Sequence, residues 1–173
     1  MKKTASTLIA VLLLCSMMLG GTSCTLFRKS SRARVKTLVV TGNFLQPRLL
    51  AELAQERTKQ PVFLFQPEAG GGALRFHFLH ANKMSEEISV SKLMDVVSYL
   101  NPRTIIVLGD ENCVPAACVE EMRKGYSVMI LNSADWEKNA QTLGGYLELP
   151  KLQREFRDMK QRYDENVLSP AQE

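Results

Sequence analysis

The residues best equipped for chemistry are Gly109-Asp110-Glu111-Asn112, directly after the apolar run Thr104-Ile-Ile-Val-Leu108. Two carboxylates at the carboxyl end of a strand occupy the edge where open α/β sheets bind ligands, and a carboxylate there could serve as a general acid or base. The same residue types also form turns, and acids ahead of a helix meet its dipole favourably. The sequence supplies no second catalytic partner, so these four residues read as a binding edge and no catalytic residue is assigned. A matching edge is Thr41-Gly42-Asn43-Phe44, where a β-branched run meets a helix. Helix N-termini bind phosphate, but the spaced-glycine fingerprints of nucleotide sites are missing. No cofactor is expected.

The other reactive side chains carry less. His77 and His80 are the only histidines. Three residues apart on a strand, they point to opposite faces, too few and too divergent for the ligand set of a zinc site. Cys113 and Cys118 stand where a turn runs into a helix. A helical turn of rise strains the Cα separation that a disulfide allows, and neither thiol has a base to activate it. Both read as small, partly buried thiols.

These residues need a frame. Short, continuously apolar runs at Thr37–Thr41, Pro61–Phe65, Thr104–Leu108 and Ser127–Leu131 predict strands buried on both faces. Between them lie amphipathic segments. A helix opened by Pro47 carries Leu49, Leu50, Leu53 and Ala54 on one face. A second, about 89–100, is capped by Ser89, stapled by Ile88 and Leu93, and stopped at Asn101-Pro102. A third, about 114–124, ends at Gly125. A fourth, capped by Ser133, carries Trp136, Ala140 and Leu143. Strands alternating with helices imply parallel crossovers. The expected fold is α/β: a three-layer, mainly parallel four-stranded sheet with helices on both faces. Residues 66–88 interrupt the plan with a Gly70-Gly71-Gly72 hinge and an alternation at Leu74, Phe76 and Phe78, the signal of an extra edge strand or hairpin. A C-terminal amphipathic helix, about 150–166, stripes Leu152, Phe156, Met159 and Tyr163. Packing on its own domain is the first use of that stripe, and a partner helix or homo-oligomer contact is the other.

The N-terminus belongs to transport. Lys2 and Lys3, the uncharged run Leu8–Leu19 and the small residues Gly20–Ser23 follow the plan of a secretory signal. The apolar run is short for a membrane span. Cys24 comes directly after the small residues, which resembles a bacterial lipoprotein signal and implies an acylated Cys24 as first mature residue. Each buried methylene contributes about 0.8 kcal/mol, so several acyl chains would hold the protein at a membrane. Arg28, Lys29, Arg32, Arg34 and Lys36 then fall in nine residues without an acid, a solvated tether beside an anionic surface. Losing Lys2 and Lys3 with the leader takes 22 bases to 20 against 18 acids, a net of +2. That balance gives no electrostatic case for nucleic acid. The expected organisation is a signal peptide over 1–23, a lipidated basic tether over 24–35, one α/β domain over 36–148 and a C-terminal helix and tail over 149–173.

Four stretches in this order have a wider likeness: "VVTGNFLQPRLLAELA" at 39–54, "PVFLF" at 61–65, "LMDVVSYLNPRTIIVLGDENCVPAACVEEM" at 93–122 and "ADWEKNAQTL" at 134–143. Together they resemble the cell-wall-binding repeat (type 2) family of bacterial surface proteins. The resemblance implies a parallel α/β module that assembles in threes and binds an anionic wall polymer. Here one repeat stands where the family has several, Leu45-Gln46-Pro47-Arg48 replaces the family's acidic stretch, and Asp110 stands in place of the second turn glycine. The carboxylates therefore mark altered binding, less suited to an anionic polymer. The function expected is a membrane-anchored envelope lipoprotein binding a glycan, polymer or protein partner through Thr41–Phe44 and Gly109–Asn112. The alternatives are an envelope hydrolase or transferase using Asp110 or Glu111, and a structural subunit assembling through the C-terminal helix.

Overall fold

A computed structural model describes residues 35–66, 74–80 and 83–168. The leader, Cys24, the basic tether up to residue 34 and the Gly70–Gly72 hinge lie outside the described residues. Six strands form one mixed sheet: β1 (Thr37–Gly42), β2 (Val62–Phe65), β3 (Arg75–His80), β4 (Lys83–Ser89), β5 (Thr104–Leu108) and β6 (Ser127–Leu131). They lie in the order β4-β3-β2-β1-β5-β6. β2, β1, β5 and β6 are mutually parallel, and β3 and β4 add an antiparallel hairpin beside β2. The four-strand expectation is thus two strands short. The alternation at 74–79 is a full hairpin, and its Phe76 and Phe78 pack on Phe63 at ring-centroid distances of 4.7 and 5.5 Å. Two-faced burial also fails at β6. As an outer strand it buries only Leu131 fully and leaves Ser127 and Ile130 exposed.

Five helices cover the sheet: α1 (Leu45–Thr58), α2 (Leu93–Leu100), α3 (Ala116–Arg123), α4 (Trp136–Tyr146) and α5 (Leu152–Leu168). The period-2 alternation of each strand sorts its side chains into two cores. Leu38, Val40, Phe63, Phe65, Ile105 and Val107 pack with Leu93 and Val97 of α2 and Val119 and Met122 of α3. Val39, Val62, Leu64, Ile106 and Leu108 pack with Leu50 and Leu53 of α1, Ala140 and Leu143 of α4, and Leu152 and Phe156 of α5. The C-terminal stripe is therefore divided. Leu152 and Phe156 belong to the core, Met159 is partly buried, and Tyr163 is exposed.

Several helix ends differ from expectation, each for a local reason. α1 opens at Leu45, two residues before Pro47. The proline stays within the first turn, where its missing N–H would have no intrahelical acceptor. Ser89 ends β4 rather than capping a long helix; its hydroxyl meets Ser91, and a 3₁₀ turn, Val90–Lys92, precedes α2. α3 starts at Ala116 rather than Val114, because Pro115 disfavours helical backbone in the residue before it. Gly125 is not a left-handed cap. The N–H groups of Lys124 and Gly125 close i→i+3 bonds on Glu121 and Met122, and this tightened turn satisfies the last carbonyls without an αL residue. Asp135, not Ser133, caps α4: its carboxylate accepts from the N–H groups of Glu137 and Lys138 at 2.9 and 3.3 Å, while the Ser133 hydroxyl accepts from Asp135 N. His77 pairs across the sheet with Leu64, and the Gln66 amide meets its Nε2.

Candidate functional site

β1 continues to β2 on one side, while β5 joins β1 on the other. The strand order thus reverses between β1 and β5, and the loops after these strands diverge and leave a crevice at their carboxyl ends. Both predicted edges lie here, with distinct jobs. Thr41 is fully buried, and its hydroxyl donates to Leu108 O at 2.7 Å, tying β1 to β5. Gly42 is a close-approach position: a Cβ there would sit 2.8 Å from Cys113 Cα and 2.9 Å from its carbonyl oxygen. Gly109 has φ +98°, and its missing Cβ makes way for the Cys113 side chain. Asn43 donates its N–H to Phe65 O at 2.7 Å and accepts from Arg48 Nη1 at 3.2 Å. Through these contacts Thr41, Gly42 and Asn43 shape the crevice, and Gly109 lines it.

The crevice itself, about 560 Å³, is lined by Phe44, Leu45, Gln46 and Pro47 from the β1–α1 junction, by Gly109, Asp110, Asn112 and Cys113 after β5, and by Asn132, Ser133, Ala134 and Trp136 after β6. Its size lies within the range of small-molecule and cofactor pockets. Phe44 and Leu45 are exposed, and the ring of half-buried Trp136 lies 3.7 Å from where a Gly109 Cβ would stand. Asp110 is held as a turn: its Oδ1 and Oδ2 accept from Asn112 N and Nδ2, both at 3.0 Å, and its carbonyl accepts from the N–H groups of Cys113 and Val114. Glu111 faces two neighbouring depressions instead, one against Phe65, Gln66 and Leu74 and one along α3. Among the described residues, no Lys or Arg lines the main crevice.

The third wall, Asn132–Trp136, was missed in the sequence. The signal for it is that Ser127–Leu131 also ends at this edge of the sheet, with Trp136 opening the helix that follows. Asn139 holds that wall, donating from Nδ2 to Ser133 O and accepting from Ser133 N at 2.8 and 3.0 Å.

Cys113 and Cys118 are both free and buried. Burial pushes both thiols up. At Cys113 backbone hydrogen bonds from Asp110 and Gly42 pull the other way, and the Asp110 carboxylate adds to the rise. Because the thiolate is the reactive form, alkylation of both in the native chain is expected to be roughly 100-fold slower than after denaturation, the factor set by a local opening of about 3 kcal/mol. Mass spectrometry of the two peptides reads this directly. A raised native pKa also means stability intact below the ordinary thiol range and lost as pH climbs from there through the raised value.

Compared with known proteins, the chain matches no family model, no curated protein and no solved structure at a significant level. Among the described residues, no helix is long and apolar enough to cross a membrane, and no group of three or more His, Cys, Asp or Glu is placed to hold a metal ion.

Proposed function

We propose that the chain is an exported envelope lipoprotein, anchored to a membrane by acylated Cys24, whose single α/β domain binds an uncharged envelope glycan in the crevice between β1 and β5. The observation that carries this reading is the composition of the crevice. Phe44 and Trp136 offer ring faces of the kind that pack against the C–H surface of a sugar. Asn112, Asn132, Ser133 and Gln46 offer neutral donors and acceptors between them. Asp110, with Glu111 and Asp135 nearby, gives the rim a negative sign that disfavours phosphate or carboxylate polymers. The resemblance of the ordered motifs to those of the wall-binding repeats favours an envelope setting in this reading, and the acidic rim sets this chain apart from the ligand that resemblance implies.

In this reading the domain acts as a binder, with the Asp110 carboxylate engaged as the turn's acceptor for Asn112 N and Nδ2. Phe44→Ala and Trp136→Ala are each expected to weaken binding on a neutral oligosaccharide array roughly tenfold, about 1.4 kcal/mol, with the fold unchanged. Tighter binding of polyphosphate than of any neutral glycan would reject the ligand class. An intact mass of the membrane-extracted protein without acyl groups at Cys24 would reject the anchor.

A further inference from the structure

The two outer strands of the sheet are protected differently. β4 reads K-M-S-E-E-I-S and carries Lys83, Glu86 and Glu87 in its sequence. Charges of this kind are how proteins block strand-to-strand association. β6 reads S-V-M-I-L, without charge or proline, and among the described residues it pairs only with β5. Ser127 and Ile130 are exposed, and Val128 and Met129 are half-buried. Beside this edge a trough of about 480 Å³ runs between β6 and α3, with Val107, Val119 and Ile130 among its apolar lining. An open, uncharged, β-branched edge with an apolar flank is a template for another strand.

We propose that β6 is the interface of a homodimer, in which two copies pair antiparallel, edge to edge, about a two-fold axis at Met129, joining their sheets into one. The charges at the ends of the strand select this occupant and this direction. Exposed Arg103, Arg123 and Lys124 lie around its N-terminal end, Arg123 and Lys124 each also pairing with a glutamate, Glu120 and Glu121, whereas exposed Asp110, Glu111 and Asp135 lie around its C-terminal end. An antiparallel pair sets the basic end of each copy against the acidic end of the other; a parallel pair would set like against like. A two-fold contact must be self-complementary, and a register centred on Met129 meets that condition by opposing Val128 of each copy to Ile130 of the other. The interface is separate from any assembly in threes and from the C-terminal helix.

The test is light scattering on the full chain, purified in a non-ionic detergent, over a concentration series. A dimer is expected at high micromolar concentration. Ile130→Lys, placed at an already exposed position, is expected to give a monomer with an unchanged circular dichroism spectrum and melting curve. Ser127→Glu, also at an exposed position, sets an acid against the acidic end of the other copy; it is expected to do the same and decides the matter if Ile130→Lys fails to fold. A wild-type monomer throughout the series, or a dimer that persists in the folded variants, would overturn the proposal.

Discussion

Gly109→Ala is expected to destabilise the domain by about 2–6 kcal/mol, combining the strain of a non-glycine residue in an unfavourable backbone region with overpacking against a fixed neighbour. Both terms are visible at the site. The φ of +98° is one that side chains rarely adopt, and the new methyl would lie 2.8 Å from Cys113 Cβ and closer still to its sulfur. Cys113 has little room to retreat. Its backbone is packed on Gly42, its N–H is bonded to Asp110 O, and its side chain is buried. The loss is a large part of the roughly 5–15 kcal/mol that a domain has in total. Urea denaturation measures it, and Gly125→Ala serves as the control, because Gly125 has ordinary φ and nothing within 4 Å of its missing Cβ. Adding Cys113→Ala to Gly109→Ala is expected to recover part of the loss by removing the sulfur while leaving the Cβ contact. Strict additivity of the two changes would count against the packing account.

The second large effect concerns the C-terminal helix. Phe156→Ala is expected to cost about 3–5 kcal/mol, as removal of a fully buried aromatic ring does. Phe156 is 0% exposed and joins residues of α1 and α4 in the same core cluster. An ion pair between Arg57 of α1 and Glu155 at 3.0 Å crosses the same contact, though exposed pairs of this kind add little. Tyr163→Ala, seven residues further along the stripe and 47% exposed, is expected to change stability by no more than about 0.5 kcal/mol. If both variants melted like the wild type, the helix would be an appendage and its stripe a docking face for something else. The contrast between the two positions measures where the stripe leaves the core.

The comparison of these positions shows what a one-dimensional pattern can carry. The runs Thr37–Thr41, Thr104–Leu108 and Ser127–Leu131 are legible as strands because side-chain chemistry and backbone propensity are local. For the same reason the alternation of strands and helices announces a sheet covered on both faces. The turn at Gly109–Asn112 is legible too, since Gly, Asp and Asn each have a local reason to bend the chain. Local chemistry left helix ends less certain. Asp135 and Ser133 are both good caps, and only the fitted turn shows which carboxylate or hydroxyl meets the free N–H groups.

Strand order was decided by the tertiary structure. Nothing in β5 itself says that it lies beside β1 and not beyond the hairpin, yet that choice places the reversal of strand order between Phe44 and Asp110 and so creates the crevice. It also brought Asn132, from the loop after β6, and Trp136, at the start of α4, to the same place. Gly42 and Gly109 are another instance: a glycine in the sequence announces freedom, and only the fold shows that both positions make way for Cys113. The sequence by itself determined most of the strands and helices and the turn chemistry, because those depend on neighbours along the chain. The identity of the edge strands, the walls of the crevice and the division of the C-terminal stripe depend on neighbours in space, and only packing could decide them.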